Sequence, residues 1–445
     1  MNAAQKSMDV QYYIWHEDLT GKVMHNRLLA AADRGVRVRL LLDDLDTAGK
    51  EETLRYIDAH PNIEVRVFNP FPSRNSRAGG FVSDFGRLNH RMHNKTITMD
   101  NQITIFGGRN IGDEYFDAAE EVGFSDMDAI GIGPVVNEIS ESFDLYWNSQ
   151  WAYPLAAFKT ELPINDETIA LFREESNDFL IEASKTGYAN AIRGIQSAQT
   201  HSTQSLGFQW GDWILVYDQP SKVEAKDIDI STHLAPKLKL AMDKAENEIL
   251  IISPYFVPGK KFTEYLVGRV KSGVKISVLT NSLAANDVAV VFAGYKKYRK
   301  DLLKGGVELY EVKATKEFIE AQEGENSKNG AWKGSSRSSL HAKFFAFDQK
   351  HVFIGSFNLD GRSVAINTEL GVYFESPLYA KKIHQGFEKG VSSKAYKVVL
   401  NKDNQNEWVT LEHGEEKRYY KEPDTSFWQR FSAGFTKLFV PESQL

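Results

Sequence analysis

Hydrophobic positions alternate with polar ones in a strand–helix–strand order that occurs twice along the chain. Near the N-terminus a strand-like run, SMDVQYYIW, is followed by a helix-like stretch that ends at Gly35 and by a second run, VRVRLLLDD. Much later the order returns as EILIISPYFV, a stretch that ends at Gly273, and VKISVLTNS. Glycine is the usual residue just past a helix end. Repeated units of this kind predict parallel strands and an α/β fold.

A longer pattern repeats without gaps, 248 positions apart. Residues 93–110 read HNKTITMDNQITIFGGRN and residues 341–358 read HAKFFAFDQKHVFIGSFN, so both obey H-x-K-x4-D-x6-G-[GS]-x-N. A lone HxK is a weak signal, but the extended pattern met twice is strong. Downstream, SDMDAIGIGP aligns with TELGVYFESP and puts Asp126 opposite Glu369. The chain is therefore predicted to contain two homologous halves.

The repeat divides the chain into predicted segments. These are a first lobe at 1–160, a helical and loop connector at 161–230, a second lobe at 231–400 and a tail at 401–445. The loop 321–339, rich in Gly, Ser and Asn, ends just before the second HxK and is interpreted as a lid or as a slack surface loop. In the tail, SFWQRFSAGFTKLF has aromatic residues at helical spacing. A helix docked on the body is favoured there over a helix on a membrane surface.

Each motif is predicted to form a β-hairpin that presents one phosphate-binding set. In a strand, residues two apart point to the same face, so each motif histidine projects beside its lysine. The Gly-Gly or Gly-Ser pair ends the second strand and permits close backbone approach to a ligand. The predicted catalytic residues are His93, Lys95, Asn110, His341, Lys343 and Asn358. The structural residues of the motifs are Gly107, Gly108, Gly355 and Ser356, with Asp100 and Asp348 at the hairpin turns.

Two such sets facing across a pseudo-twofold axis would surround one phosphodiester and permit nucleophilic catalysis without a metal or cofactor. One histidine attacks phosphorus, while the other protonates the leaving oxygen and then deprotonates the incoming alcohol or water. The lysines and asparagines stabilise charge on the non-bridging oxygens. A nucleophilic imidazole needs an acceptor for its other ring nitrogen. Asp126 and Glu369 are the candidate acceptors.

Composition removes several classes of protein. The 445 residues hold 53 Lys+Arg against 60 Asp+Glu, a net charge of −7, and no cysteine. Disulfide frameworks, thiolate zinc sites and cysteine nucleophiles are therefore excluded. The acidic balance counts against a chain that coats nucleic acid. No apolar run approaches the roughly 18 residues of a membrane span.

Further candidates for substrate contact lie beside the motifs. The segment 71–95 has a local charge of +4 and either attracts anionic headgroups or is a solvated loop. Arg109 lies inside the first GGRN, where it could contact a headgroup phosphate. Asn281, Asn286 and Tyr295 follow a strand end, where ligands bind in open α/β sheets. Capping and core packing explain these three equally well.

The doubled H-x-K-x4-D pattern resembles the phospholipase D superfamily. Stretches such as RMHNKTITMD, GGRNIGDEYF, TNSLAANDVAVVFAGY, LHAKFFAFD and IGSFNLDGRS look like those of bacterial cardiolipin synthases of the C type, and the resemblance covers most of the chain. It implies two α/β lobes and a covalent phosphohistidine, with His93 as nucleophile and His341 as general acid. It also implies synthesis of cardiolipin from phosphatidylglycerol, with phosphatidylethanolamine or phosphatidylglycerol as donor.

The resemblance further implies a peripheral protein at the cytoplasmic face of a bacterial inner membrane, with phospholipids as substrates and an anionic membrane surface as partner. The net charge of −7 argues separately against a nucleic-acid partner. It leaves an accessory protein and the oligomeric state open. Family members usually carry an upstream segment that leads into the first strand, and here seven residues precede Met8. We expect any membrane or export signal in such a segment.

Three alternative functions are a phospholipase D hydrolase, a metal-independent nuclease and a non-catalytic lipid-binding scaffold. The net charge of −7 and the lack of a basic groove interleaved with aromatic residues count against the nuclease. Two intact motifs count against the scaffold. The hydrolase differs from the synthase only in the molecule that accepts the phosphatidyl group.

Overall fold

The computed structural model describes residues 1–72, 77, 79–80, 84–116, 126–160, 162–190, 207–224, 232–286, 289–314 and 340–430. The chain divides into two compact units, of which the first comprises 1–105, 110–118 and 130–210, and the second comprises 106–109, 119–129 and 211–445. The second unit thus includes short pieces of the N-terminal half. The predicted loop 321–339 lies outside the described residues. The predicted segment limits stay a prediction.

The first sheet is a mixed sheet. Its strands are β1 (Ser7–Tyr12), β2 (Arg37–Asp43), β3 (Ile63–Phe68), β4 (Thr96–Met99), β5 (Ile103–Gly107), β6 (Asp128–Ile132) and β7 (Ala152–Pro154), in the order β6-β5-β4-β1-β2-β3-β7. Strands β1, β2 and β3 are parallel, whereas β4 is antiparallel to β1. The accompanying helices are α1 (Leu19–Asp33), α2 (Glu51–Asp58), α3 (Phe85–Leu88), α4 (Pro134–Trp147) and α5 (Asp166–Ala183).

The second sheet repeats the parallel core and extends it on both sides. Its strands are β8 (Trp213–Tyr217), β9 (Glu248–Ile252), β10 (Lys275–Asn281), β11 (Glu308–Val312), β12 (Phe344–Phe347), β13 (His351–Gly355), β14 (Leu370–Glu375), β15 (Ala395–Leu400), β16 (Asn406–Glu412) and β17 (Glu415–Tyr419). They run in the order β17-β16-β15-β11-β10-β9-β12-β13-β14-β8, with β9, β10 and β11 parallel. The accompanying helices are α6 (Leu234–Lys244), α7 (Gly259–Lys271), α8 (Ala289–Lys304), α9 (Gly361–Ala365) and α10 (Pro377–Lys394).

Both predicted strand–helix–strand units are present. Gly35 and Gly273 follow α1 and α7 with φ of +89° and +100°, a backbone conformation that glycine adopts at little cost. In the first unit Val10, Leu40 and Val65 of the three parallel strands share one buried apolar cluster. The predicted α/β fold, with mixed sheets flanked by helices, is confirmed.

Two features relate to membrane contact, namely the conformation of the C-terminal tail and the length and hydropathy of the helices. Residues 427–430 are helical and 431–445 lie outside the described residues, so the amphipathic helix of the tail stays a prediction. No helix in the described part of the chain is long and apolar enough to cross a bilayer.

Both motifs fold as hairpins with the same turn. Asp100 and Asn101 join β4 to β5 with φ of 55° and 52°, and Asp348 and Gln349 join β12 to β13 with φ of 52° and 51°. Two successive left-handed residues are the mark of a type I′ turn, which fits the twist of a hairpin. Asp and Asn tolerate this conformation better than most residues.

The two turn aspartates also hold the chain that enters the neighbouring strand. Each carboxylate accepts three consecutive backbone N–H groups. The donors are Gln5, Lys6 and Ser7 for Asp100, and Glu246, Asn247 and Glu248 for Asp348. Burial raises the pKa of each carboxyl, but the N–H donors outweigh it and the pKa lies below its ordinary value. Each aspartate therefore ties its hairpin to the first parallel strand of the same sheet.

Asp348→Asn should lower the free energy of unfolding by about 1 kcal/mol at pH 7, since the amide keeps one acceptor oxygen and solvent screens the charge. Because the folded-state pKa is depressed, the contribution is present above the unfolded pKa of about 4 and is lost as pH falls through the folded value. Urea unfolding across this pH range measures it. Asp403→Asn, in an exposed turn, is the control. A deficit that stays constant with pH would contradict the prediction.

Candidate active site

The first HxK set lies just before β4 and is buried. His93 and Lys95 are 7% and 2% exposed. The Lys95 ammonium turns back and donates to the His93 carbonyl at 2.7 Å. The Tyr13 ring packs against the His93 imidazole with centroids 4.9 Å apart and nearly edge-on, and Lys95 Nζ lies 5.5 Å from the Tyr13 centroid. Sequence reasoning missed Tyr13, whose signal is its position directly after β1, at the carboxyl end of a parallel strand.

The asparagines that close the motifs are both buried. Asn110 Oδ1 accepts the backbone N–H of Ile14 at 3.3 Å, which leaves the amide nitrogen as the donor end of the side chain. Asn358 is 6% exposed, and its Oδ1 has no hydrogen-bond partner among the residues that the structure describes.

The second HxK set is held by a carboxylate from the N-terminal half of the sequence. Asp126 Oδ2 lies 2.5 Å from His341 Nδ1, and both side chains are shielded from solvent. Burial would raise the pKa of Asp126, but the charges of His341 and Lys343 lower it to about 2. Because Asp126 is then ionised, Nδ1 of His341 is the donor and Nε2 is left for chemistry. The alignment of the two halves predicted Asp126 as a hydrogen-bond acceptor for a motif histidine but did not indicate which histidine it binds.

Lys343 lies against the imidazole of its own motif. Its Nζ is 3.1 Å from both ring nitrogens of His341. In the neutral ring, whose Nδ1–H donates to Asp126, Nε2 is the nitrogen that can accept a hydrogen bond from this ammonium. Burial lowers the pKa of Lys343 to about 8, although Asp126 and Glu369 favour the charged form. The ammonium is therefore charged at neutral pH and close to its titration range.

Glycines allow the Asp126 segment to approach β5. A Cβ on Gly107 would lie 2.1 Å from Asp128 Oδ1, and one on Gly108 would lie 2.7 Å from Asp126 Oδ1. Both distances are too short for carbon against oxygen, so a side chain here would displace a carboxylate. In the second motif a Cβ on Gly355 would lie 2.4 Å from the Leu370 carbonyl oxygen. These positions therefore need glycine for packing.

Arg109 is paired with an acid. Its Nε donates to Asp128 Oδ2 at 2.7 Å, and its backbone N–H donates to Oδ1 of the same residue at 3.2 Å. Burial and the neighbouring Asp126 raise the pKa of Asp128 to about 6, against the pull of Arg109. The predicted headgroup contact of Arg109 stays a prediction.

Glu369 is fully buried and firmly held. Its carboxylate accepts from the hydroxyl of Ser356 at 2.5 Å and from that of Ser363 at 2.8 Å. Its backbone N–H donates to Asp218, whose carboxylate also binds the buried Lys222 ammonium at 2.9 Å. Its predicted role as a histidine anchor stays a prediction.

The three predicted acceptor-site residues, which lie at the end of β10 or after it, are buried. Asn281 Nδ2 donates to the Leu340 carbonyl at 3.0 Å. Tyr295 lies in the apolar core, where its ring meets that of Phe256 in a tilted contact and that of Phe292 nearly edge-on, with centroids 5.9 and 5.8 Å apart. Asn286 is 7% exposed. These contacts supply structural roles, while substrate contact stays a prediction for all three.

The basic segment is largely neutralised by its own contacts. Arg77, Arg87 and Arg91 pair with Glu51, Asp84 and Asp43 at 2.9, 2.7 and 3.1 Å. The local charge of +4 therefore overstates the field that these arginines present to an anionic surface.

One cluster in the described part of the chain has metal-ligand spacing, formed by His16, Asp18 and Glu114. His16 Nδ1 lies 3.3 Å from Glu114, and Nε2 lies 4.0 Å from Asp46. Burial lowers the pKa of His16, but these carboxylates outweigh it and the pKa is raised. The carboxylates around His16 therefore favour the charged form of its imidazole.

Residues 1–147 and 238–391 match the family model described as cardiolipin synthase, PLD-like domain. The chain belongs to this family. It is 43% identical over 427 residues to cardiolipin synthase C of Escherichia coli (strain K12), covering 96% of this chain and 88% of the relative. It is 24% identical over 439 residues to a cardiolipin synthase of Staphylococcus aureus (strain Mu50), covering 97% of this chain and 67% of the relative.

One solved structure shares the overall fold of the chain. Phosphatidylserine synthase of Haemophilus influenzae Rd KW20 matches with a TM-score of 0.56 at 12% identity, over 89% of this chain and 83% of that one. The resemblance read from the doubled motif is confirmed by the family model and by the relative at 43% identity. The family model, together with the relative at 43% identity, makes the chain an enzyme of the phosphatidyltransferase class.

Asp126→Asn should lower the free energy of unfolding by roughly 2 kcal/mol at pH 7, because the carboxylate that pairs with His341 is removed. The folded-state pKa of about 2 lies below the ordinary 3.8. The contribution is therefore present above pH about 4 and is lost as pH falls toward 2. Denaturant unfolding at several pH values measures the difference. The control, Asp144→Asn, removes a half-exposed carboxylate from α4, and an Asp126→Asn deficit no larger than the control's would contradict the prediction.

Proposed function

We propose that this protein transfers a phosphatidyl group from a donor phospholipid to a hydroxyl group of phosphatidylglycerol and so makes cardiolipin. The observation that carries the proposal is the buried His341, whose Nδ1 is fixed by Asp126 and whose Nε2 lies beside an ammonium. The second support is an intact HxK set in each half of the sequence. The two relatives at 43% and 24% identity are cardiolipin synthases, which supports the same reaction here.

In the first step Nε2 of His93 forms a bond to phosphorus as the P–O bond to the donor headgroup breaks. His341 gives its Nε2 proton to the leaving oxygen. Asp126 stays ionised, because its pKa is about 2, and stabilises the imidazolium before this transfer. Lys95 and Lys343, with the two motif asparagines, offset charge on the non-bridging oxygens.

In the second step the roles of His341 reverse. Its neutral Nε2 takes the proton of the acceptor hydroxyl as that oxygen bonds to phosphorus, and the bond to His93 breaks. The products are a new phosphodiester and both histidines in their starting states. Water in place of the alcohol would give phosphatidic acid, so the choice of acceptor decides between synthase and hydrolase.

Phosphatidylethanolamine or phosphatidylglycerol is the proposed donor. The protein would meet both lipids as a peripheral enzyme at the cytoplasmic face of the inner membrane.

His93→Ala and His341→Ala should each lower cardiolipin formation by at least about 10³-fold, since each removes one reacting nitrogen. Mixed vesicles of phosphatidylglycerol and phosphatidylethanolamine, with products resolved by mass, provide the measurement. His413→Asn, at an exposed histidine in a turn, is the control. Phosphatidic acid in place of cardiolipin from the unmodified protein would reassign it as a hydrolase. Undiminished turnover in either alanine variant would contradict the mechanism.

The rate should fall as pH rises through about 8, because Lys343 loses its proton there and with it the charge that offsets the phosphate. Arginine keeps its charge across this range. In Lys343→Arg the alkaline limb of the profile of kcat against pH should therefore move to higher pH. The larger side chain should at the same time lower the maximal rate. Lys350→Arg, at an exposed lysine in the β12–β13 turn, should leave the limb in place. An alkaline limb that is identical in Lys343→Arg and the parent protein would disprove the assignment.

A further inference from the structure

A buried polar side chain at the end of the middle parallel strand contacts the residue before the motif histidine in each unit. Asp43 ends β2, and Asn281 ends β10. They lie 238 positions apart, the same separation as Gly35 and Gly273. They are therefore equivalent positions in the repeated strand–helix–strand unit, although their side chains differ in charge.

Asp43 holds the segment that leads into His93. Its Oδ2 accepts the backbone N–H of Met92 at 2.8 Å, and its Oδ1 binds the Arg91 guanidinium at 3.1 Å and the Leu45 N–H at 2.9 Å. Asp43 is fully buried and Arg91 is 1% exposed. The peptide that joins residues 91 and 92 is thus bonded through both its N–H and the adjacent side chain.

Arg91 adds further hydrogen bonds to the segment that leads into His93. Its Nε and one terminal nitrogen donate to the Leu88 carbonyl at 2.8 and 2.7 Å. Its other terminal nitrogen reaches the Asn69 carbonyl at 3.3 Å in addition to Asp43. The four residues that connect α3 to His93 are therefore held on one side by the end of β2.

Asn281 does the same for His341 with an amide. Its Oδ1 accepts the N–H of Leu340 at 3.2 Å, and its Nδ2 donates to the Leu340 carbonyl at 3.0 Å. Both residues are buried, at 1% and 5% exposure. A primary amide satisfies the N–H and the C=O of one residue at once, which a carboxylate cannot do.

We propose that Asp43 and Asn281 are positioning residues that fix the backbone before His93 and His341, so that each imidazole is aimed before substrate binds. The inference rests on the proposed function, because it concerns the two histidines of phosphoryl transfer. A reacting group displaced by about 1 Å loses on the order of 10²-fold in rate, so a hydrogen bond one residue away has kinetic weight.

The variants separate the effect of the hydrogen bonds to the backbone from the effect of the buried charges. Asp43→Asn with Arg91→Met removes both charges but keeps an oxygen that can accept the Met92 N–H, whereas Asp43→Ala with Arg91→Met removes that acceptor as well. Asn281→Asp keeps the acceptor for Leu340 N–H and loses the donor to its carbonyl, and Asn281→Ala loses both. Asp44→Asn is a matched control, because Asp44 is equally buried but binds the Phe71 N–H at 2.8 Å. Ser282→Ala is the control beside Asn281.

The experiment measures kcat and KM for release of p-nitrophenol from phosphatidyl-p-nitrophenol, and for cardiolipin formation in mixed vesicles, with thermal unfolding of each variant. We expect Asp43→Ala/Arg91→Met and Asn281→Ala to lose about 10- to 100-fold in kcat for cardiolipin, with KM changed less than about twofold. The oxygen-retaining Asp43→Asn/Arg91→Met should recover most of the loss. Nitrophenolate leaves without a proton, so the defect of Asn281→Ala, which acts through the general acid, should shrink on that substrate while the Asp43 defect persists.

Losses no larger than those of Asp44→Asn and Ser282→Ala, or losses that follow the folded fraction or KM, would overturn the proposal. Nitrophenol release reports phosphodiester cleavage whichever acceptor takes the phosphatidyl group. A parent protein that releases nitrophenol but makes no cardiolipin would therefore sink the synthase proposal and leave the positioning test intact.

Discussion

The hydrogen bond between Asp126 and His341 joins two segments 215 positions apart and governs the second HxK set. The bond fixes the tautomer of the His341 imidazole. The negative charge of Asp126 favours the charged form of the buried Lys343, which is protonated at neutral pH. The bond exists because Gly107 and Gly108 leave room for the carboxylates beside β5. The second unit therefore needs pieces of the N-terminal half of the sequence to complete its chemistry.

Buried charges are also paired elsewhere in each of the two units. Arg91 lies on Asp43, and Lys222 lies on Asp218, with all four side chains nearly or fully excluded from solvent. An unpaired buried charge costs several kcal/mol, so each ion pair restricts the backbone that carries it. Asp43 accepts the N–H of the residue before His93, and Asp218 accepts the N–H of Glu369. The ion pairs that neutralise these buried charges therefore also position parts of the candidate site.

Local patterns identified most of the secondary structure around the site. Alternating runs and the glycines at 35 and 273 predicted the strand–helix–strand units, since backbone preference and side-chain periodicity act over a few residues. Asp-Asn and Asp-Gln in the motifs fit the left-handed turns of the hairpins for the same reason. The net charge of the segment 71–95 predicted its surface field less well, because a count of charges along the segment leaves out the acids from other elements that pair with its arginines in the folded chain.

The sequence by itself determined the repeat, the α/β class and the residue types of both HxK sets, because these depend on local periodicity and on two copies of one motif. Only the tertiary structure decided that Asp126 meets His341, that Tyr13 packs on His93 and that Asn281 binds Leu340. Such partners lie tens to hundreds of positions apart, and many polar residues in the chain have the same bonding capacity. Packing selects among them, since a buried polar group must find whichever partner the folded backbone brings within about 3 Å.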